Sequence, residues 1–296
     1  MLTSRDELEA ESLYIIREAF EQFSNPAILF SGGKDSVVLL HLARIALGSR
    51  LPIPVLHIDT GHNFPELLAF RDRYLASVGA TIIVRSVEES IRSGRVAPPP
   101  PESPSRNRLQ SVTLLDAIAE LSVDAALAGG RRDEEKARAK ERVFSPRRPN
   151  GAWDPHLQRP ELRLDYVASP QAGGHYRVFP LSNWTELDVW RYIEAEGIEV
   201  PSLYFSHPRE VIERDGVLLP VSEYLPLEPG ETPERREVRF RTVGDLLCSG
   251  ADPNPAASVR EIVEDILHSR RSERASRADD AASESAMEDR KREGYF

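Results

Sequence analysis

Cysteine is nearly absent from this chain of 296 residues, in which Cys248 is the single example. One cysteine excludes an intrachain disulfide, an iron–sulfur cluster and a cysteine-based zinc site. We expect Cys248 to be a small buried side chain. Long apolar runs are also missing, and the N-terminal residues contain no apolar segment of the kind found in signal peptides. These absences favour a cytoplasmic protein that does not enter a membrane.

Positive charge is in the minority. The chain has 38 Lys and Arg against 48 Asp and Glu, which gives a net charge of −10. Proteins that wrap nucleic acid rely on a basic surface, so we expect no nucleic-acid partner. The length permits one large domain or a domain with a substantial appendage.

The chain does contain a glycine-rich turn, Ser-Gly-Gly-Lys-Asp-Ser at positions 31–36, between the apolar run 27–30 and a helical pattern that starts at Val37. This order predicts a strand, a loop and a helix, and the N–H groups at the helix amino end suit an anion such as phosphate. A Walker A loop is excluded because Lys34 precedes Asp35 instead of Ser or Thr, and because Ile28 stands where the first glycine is required.

Strand and helix patterns alternate over the first half of the chain, which predicts an α/β fold with a parallel twisted sheet and flanking helices. The predicted strands cover residues 27–30, 55–58, 81–84 and 125–128. We divide the chain into a nucleotide-binding core (1–145), a continuation with wrapping loops and helices (146–268) and a charged C-terminal extension (269–296). Ligands of such sheets bind at the carboxyl ends of the strands.

The hexapeptide resembles the pyrophosphate loop, SGGxDS, of the PP-loop superfamily, whose enzymes cleave ATP between its α- and β-phosphates. Longer segments are similar to the small, catalytic subunit of the bacterial heterodimeric sulfate adenylyltransferase family, which is related to phosphoadenylyl-sulfate reductases. They include residues 129–142, residues 177–186, the motif His-Ile-Asp-Thr-Gly at 57–61 and the terminal residues 291–296.

This resemblance implies an adenine nucleotide alpha hydrolase-like fold and a reaction of ATP with sulfate that gives adenylyl sulfate and pyrophosphate. It implies a heterodimer with a GTPase large subunit, whose GTP hydrolysis would supply the free energy for an uphill reaction. The charged extension is then expected to order against the active-site rim or the partner. Magnesium is the metal expected with ATP chemistry.

The candidate catalytic residues are Lys34, Arg131 and Arg132. We expect Lys34 to act on the pyrophosphate leaving group, and the two arginines, which follow a glycine pair after the fourth strand, to bind sulfate and the α-phosphate. The resemblance places Asp59 beside the adenosine, although a carboxylate that caps the turn at residues 60 and 61 remains an alternative. The loop residues expected to bind the nucleotide phosphates are Ser31, Gly32, Gly33, Lys34, Asp35 and Ser36.

Two local alternatives also stay open. Asp35 is the candidate magnesium ligand, and an equally plausible role is to cap the helix that follows it. Glu134 and Arg138 have the i,i+4 spacing of an ordinary solvated helix face, so we expect part of residues 133–142 to face solvent.

Related enzymes of other functional classes require sequence features that are missing from this chain. The reductase relatives need a nucleophilic cysteine in the tail, the tRNA-thiolating relatives need cysteines and a basic surface, and amidotransferase-like relatives need an ammonia source. The chain departs from the family pattern at Pro146, Arg148 and Arg163, which leaves open a paralogue that adenylylates another oxyanion in a specialised pathway. A non-catalytic nucleotide-binding subunit is a further alternative.

Overall fold

The computed structural model describes residues 4–100, 105–134, 138–154, 156, 158, 173–268 and 273. A six-stranded sheet forms its centre. Its strands are β1 (Pro26–Leu29), β2 (Val55–Asp59), β3 (Ile82–Ser86), β4 (Ala125–Leu127), β5 (Phe144–Arg147) and β6 (His175–Val178). Their order across the sheet is β3-β2-β1-β4-β6-β5, parallel throughout except that β5 pairs antiparallel with β6. The four strands predicted from the sequence are confirmed, whereas the β5–β6 pair was not predicted.

Helices cover both faces of this sheet. They are α1 (Ser4–Gln22), α2 (Lys34–Leu47), α3 (Pro65–Ser77), α4 (Val87–Arg92), α5 (Gln110–Glu120), α6 (Glu186–Glu196) and α7 (Val259–His268). Ile28 of β1 packs in the core formed with α1, α2 and α6, while its neighbour Ala27 packs with Leu114 of α5 on the other face. A parallel strand buried on both sides must be apolar throughout, which explains the continuous apolar run in β1. The predicted α/β fold is confirmed.

A second, smaller sheet follows α6 and was not predicted. Strands β7 (His207–Arg214), β8 (Val217–Pro220), β9 (Glu234–Phe240) and β10 (Ala251–Asp252) form a closed antiparallel barrel in the order β10-β8-β7-β9. Asp215 and Gly216, both with positive φ, join β7 to β8, and Asp-Gly is a strong sequence signal for such a hairpin. The barrel interior packs against Phe64 and Leu67 at the start of α3, which fixes the barrel beside the carboxyl edge of the main sheet.

Two predicted segments lie outside the described residues. They are residues 155, 157 and 159–172, which include Arg163 and belong to the part with the wrapping loops, and the charged extension 269–296 apart from Glu273. Within the part of the chain that the structure describes, no helix is long and apolar enough to cross a membrane.

Candidate active site

The hexapeptide forms a sharp turn between β1 and α2. Gly32 has a φ of +82°, a left-handed conformation that glycine adopts without steric cost. A Cβ atom at this position would lie 2.8 Å from Leu67 Cδ1. α2 then begins at Lys34, with Gly33 as its extended N-cap. The predicted strand–loop–helix unit is therefore present, with the amino end of α2 at the carboxyl edge of the sheet.

Hydrogen bonds hold this loop in one shape. Ser36 Oγ donates to the Gly33 carbonyl at 2.8 Å, and Gly33 N donates to Ser31 Oγ at 3.3 Å. The first N–H of α2, that of Lys34, donates to the Tyr204 hydroxyl at 2.8 Å. Burial raises the pKa of Tyr204, so its phenol stays protonated. No sequence motif pointed to Tyr204, which lies between α6 and the barrel.

A cavity opens in front of the loop, between the main sheet and the segment that follows β9. One part of its wall is apolar and consists of Leu29, Leu56, Ile58 and Leu114. Another part carries charge and consists of Lys34, Asp35, Glu134, Arg138 and Glu273. Residues 242–245, which follow β9 after Arg241, also line the cavity. The cavity thus offers an apolar surface and a charged surface side by side, as a nucleotide requires.

Two buried cations meet two carboxylates at the charged wall. Lys34 Nζ lies 3.1 Å from Asp35 Oδ2, and Arg131 Nε donates to Asp35 Oδ1 at 2.7 Å. Glu273 accepts hydrogen bonds from both cations, through Oε1 from Lys34 Nζ and through Oε2 from Arg131 Nη2. The carboxylate of Glu273 therefore bridges two of the three candidate catalytic cations.

The electrostatics keep this cluster ionised. Burial opposes the charge on Lys34, but the carboxylates of Asp35 and Glu273 outweigh it and raise the pKa of Lys34 well above its usual value. Burial is likewise outweighed at Arg131, whose pKa is raised by the same two carboxylates. The pKa of Glu273 is lowered because Arg131 and Lys34 overcome the cost of its burial. All three groups are charged at neutral pH.

A glycine pair allows Arg131 to reach the loop. A Cβ atom on Gly129 would lie 2.9 Å from the backbone carbonyl carbon of Asp35, a separation that real Cβ atoms essentially never show. On Gly130 it would lie 2.7 Å from Arg138 Nη1. The segment after β4 can therefore pass against the amino end of α2 only because Gly129 lacks a side chain.

Residues 133–142, the mixed acidic and basic segment after Arg131, differ from the prediction at Glu134 and Arg138. Arg138 was expected on a solvated helix face, but its side chain is 9% exposed and lines the cavity. Its Nε lies 3.3 Å from Glu134 Oε2, which also lines the cavity. The residues fall in a turn and a short 3-10 helix, and residues 135–137 between them lie outside the described chain. Sequence spacing alone could not show that this pair faces inward.

Four predicted site residues, Gly32, Asp59, Arg131 and Arg132, are not among those lining the cavity. Arg131 nevertheless contacts Asp35 and Glu273, which do line it. Arg132 donates from Nη1 to Asn183 Oδ1 at 2.8 Å and from Nη2 to the Glu141 carbonyl. Asp59 Oδ1 accepts from Gly61 N at 2.7 Å, which is the turn-capping alternative stated above. Both side chains have local structural roles in this arrangement, whereas the loop, Lys34 and Arg131 come together as expected.

The carboxylates at the charged wall bear on the expected magnesium ion. Within the described residues, no group of three or more His, Cys, Asp or Glu side chains could hold a metal by itself. Magnesium commonly takes only one or two protein carboxylates and completes its shell with water and substrate phosphates. Asp35 accepts from Lys34 and Arg131 and does not cap α2. A carboxylate at the cavity wall fits that kind of shared site.

Comparisons with known proteins agree with this architecture. The sequence profile of the phosphoadenosine phosphosulfate reductase domain matches residues 25–251. A protein named sulfate adenylyltransferase subunit 2 from Mycobacterium sp. (strain JLS) is 55% identical over 98% of this chain and 93% of its own length. Its namesake from Streptomyces lavendulae is 54% identical over 100% of this chain and 92% of its own length.

Among solved structures, Candida glabrata FMN adenylyltransferase in complex with ATP is 15% identical, with a TM-score of 0.49, over 92% of this chain and 87% of its own. The similarity to the sulfate adenylyltransferase relatives covers nearly the full length of both chains. The resemblance predicted from the sequence motifs is confirmed, and the chain belongs to the sulfate adenylyltransferase subunit 2 family of nucleotidyltransferases.

Proposed function

We propose that this chain transfers the adenylyl group of ATP to sulfate, forming adenylyl sulfate and releasing pyrophosphate. The observation that carries the proposal is the convergence of Lys34 and Arg131 on one buried carboxylate, that of Glu273, at the amino end of α2. Carboxylate and phosphate oxygens accept the same charge-assisted hydrogen bonds, so the position held by Glu273 suits a phosphate group. The names of the relatives identify the reaction class.

The reaction places two anions within attack distance. A sulfate oxygen attacks the α-phosphorus, a new bond from that oxygen to phosphorus forms, and the bond from the α-phosphorus to the α,β-bridging oxygen breaks. The electron pair of the broken bond leaves with pyrophosphate. Because sulfate is a weak nucleophile and repels ATP, the site must supply fixed cations and N–H donors at both reactants.

We assign the loop at 31–36, together with Lys34 and Arg131, to the pyrophosphate group. Both cations contact the same carboxylate in the structure, which supports a role on one shared anion. Asp35 accepts from both, and so it fixes their relative position before substrate arrives. Preorganised charges of this kind stabilise the negative charge that develops on a leaving group.

The nucleoside fits the remaining wall of the cavity. Leu29, Leu56, Ile58 and Leu114 form an apolar surface for an adenine ring, and Gln110 and Asn107 add amide groups at its edge. We assign magnesium to Asp35 together with phosphate oxygens of the substrate. When bound, the ion would neutralise part of the phosphate charge.

Formation of adenylyl sulfate and pyrophosphate from ATP and sulfate is strongly uphill, so synthesis needs a second source of free energy. We propose that a second subunit supplies it through GTP hydrolysis, because the relatives are named as subunit 2 and this sequence has no Walker A loop. Adding a GTPase subunit and GTP to the purified chain should increase adenylyl sulfate formation. An identical yield with and without GTP would contradict this coupling.

The proposed reaction is best tested in its downhill direction. The purified chain, supplied with magnesium, adenylyl sulfate and pyrophosphate, should form ATP and sulfate, measured by luciferase luminescence. Lys34→Ala should lower the rate by about a hundredfold, as expected for loss of one preorganised donor worth about 3 kcal/mol. Lys140→Ala, an exposed lysine, is the matched control. Absence of ATP formation by the wild-type chain would refute the assignment.

A further inference from the structure

A buried basic cluster lies next to the cavity. We define it as Arg138, Arg147, His175 and Arg177, whose exposed fractions are 8%, 4%, 2% and 1%. The pairing of β5 with β6 sets Arg147 opposite His175 and Ser145 opposite Arg177. Cross-strand partners share a face of a sheet, so these side chains are close neighbours on the face opposite Tyr176 and Val178.

The cluster has polar atoms that the described residues leave unused. Arg147 donates from Nη2 to Glu141, but its Nε and Nη1 are buried and find no acceptor in the described part of the chain. The same holds for His175 Nε2 and Ser145 Oγ. A buried, unsatisfied group costs free energy, and more so when it is charged. Several of them in one place point to a ligand rather than to packing.

Its electrostatics favour an anion. Burial and the neighbouring Arg147 cation lower the pKa of Arg177 well below its usual value, and burial also lowers that of Arg147. An arginine does not release its proton in proteins, so these cations remain charged and destabilised. His175 has a pKa lowered to about 2 by its burial and by both arginines, and is therefore neutral. A dianion near the cluster would relieve this repulsion.

Arg138 connects the cluster to the cavity. Arg138 belongs to the cluster and also lines the cavity wall. Its charge lowers the pKa of both Arg147 and Arg177, so it lies close to them. Glu134 contacts Arg138 and also lies within electrostatic reach of Arg131 and Glu273. Glu134 is therefore a carboxylate within reach of both this group of cations and the one formed by Lys34 and Arg131.

We infer that Arg138 binds the acceptor oxyanion, with Arg147 and Arg177 behind it as positioning residues that raise the local positive potential. This inference rests on the proposed function and names the sulfate subsite of the same cavity. A reaction between two anions needs two separate cationic groups, and the structure supplies two on one cavity wall. A guanidinium fork matches two oxygens of a tetrahedral dianion. The subsite should accept sulfate, selenate and molybdate.

A crystallographic test uses the wild-type chain and so does not depend on the folding of a variant. Crystals soaked in selenate should show anomalous density for selenium beside the Arg138 guanidinium. A selenium peak at Arg132 instead, the other arginine expected from the sequence to bind sulfate, would overturn the inference. So would the absence of a peak at selenate concentrations that inhibit ATP formation.

Kinetics in the downhill direction give an independent test. Arg138→Lys should raise the inhibition constant of sulfate and the KM of adenylyl sulfate at least tenfold, with the KM of pyrophosphate changed less than twofold. Lys34→Ala should act mainly on pyrophosphate. Arg260→Lys is the control, because Arg260 is 80% exposed on α7. Equal effects of Arg138→Lys on both substrates, or none on sulfate, would contradict the assignment.

The positioning role requires its own pair of variants. Arg147→Met should weaken sulfate inhibition at least fivefold, and Arg147→Lys should restore most of it because the charge returns. Equal losses in both variants would indicate a role in packing only. If the wild-type chain makes no ATP, the proposed function fails while the selenate map still decides the subsite. If it does make ATP and Arg138→Lys behaves as wild type, only the subsite fails.

Discussion

The carboxylate of Glu273 should compete with the phosphate ligand, and Glu273→Gln is the perturbation that tests this. Glu273 is 7% exposed and accepts hydrogen bonds from Lys34 and Arg131, the two cations assigned to pyrophosphate. A phosphate that uses the same donors must displace it. The amide of glutamine keeps the shape of the side chain but removes its charge, so this variant should bind pyrophosphate more tightly than the wild type.

The size of the effect follows from these contacts. A hydrogen bond to a charged group contributes about 1.5–3 kcal/mol, and two cations share this carboxylate. The neutral amide retains part of the interaction, so the net change corresponds to about one such bond, or roughly 10- to 100-fold in affinity. The pKa of Glu273 is lowered, so the wild-type carboxylate stays ionised and the difference should persist through neutral pH.

Isothermal titration calorimetry of pyrophosphate into the wild type and Glu273→Gln measures this difference directly. Glu194→Gln, an exposed carboxylate on α6, is the matched control and should bind like the wild type. Thermal unfolding without ligand should show a less stable Gln variant, because Lys34 and Arg131 then lose one of the two carboxylates that they share and keep only Asp35. Arg131 keeps one further carboxylate, that of Asp133, at 3.6 Å from its Nη1. Unchanged or weaker pyrophosphate binding by Glu273→Gln would show that Glu273 does not occupy the ligand position.

Three further outcomes are expected. Gly129→Ala should destabilise the chain by about 1–3 kcal/mol in chemical denaturation, because the added methyl group meets the Asp35 backbone at 2.9 Å; wild-type stability would refute the close approach. Burial lowers the pKa of His57 to about 4, and its Nδ1 bonds the Phe30 carbonyl. Between pH 6.5 and 4 the imidazole is protonated in the unfolded state but neutral in the folded state, so the free energy of unfolding should fall by about 3 kcal/mol as the pH is lowered over this range. His57→Asn should lose this part of the pH dependence. Cys248→Ser should keep its catalytic rate, since no redox step is involved; an inactive but folded variant would argue for reductase chemistry.

Local sequence patterns were sufficient for the phosphate loop and for the central strands. The hexapeptide carries its own signal, because a glycine pair between an apolar run and a helical pattern permits few alternatives. Arg131 was found for a similar reason, since it follows two glycines directly after a strand. Its neighbour Arg132 was predicted with it, yet adjacent side chains leave the backbone in different directions. Only one of the two reaches the cluster around Asp35.

Long-range contacts account for what the sequence could not show. Tyr204 lies 170 residues from the loop N–H that it accepts, and Glu273 lies 239 residues from Lys34. Neither belongs to a motif, and no periodicity relates them to the loop. The barrel was missed for a different reason. Strand β9 reads Glu-Arg-Arg-Glu-Val-Arg-Phe, and a run of charges of this kind resembles a solvated segment more than a strand.

The charges at the cavity wall explain how an acidic protein can accept two anions. Lys34 and Arg138 on the wall, and Arg131, which contacts carboxylates of the wall, are balanced by Asp35, Glu134 and Glu273. The site therefore carries little net charge before substrate arrives. The net charge of −10 is spread over the whole chain, and at physiological ionic strength charges farther than about 8 Å are largely screened. The local cations therefore decide the affinity. On the proposed assignment, a phosphate that displaces Glu273 would take over its contacts with Lys34 and Arg131. Its arrival would thus be coupled to a gain of one positive charge in the site.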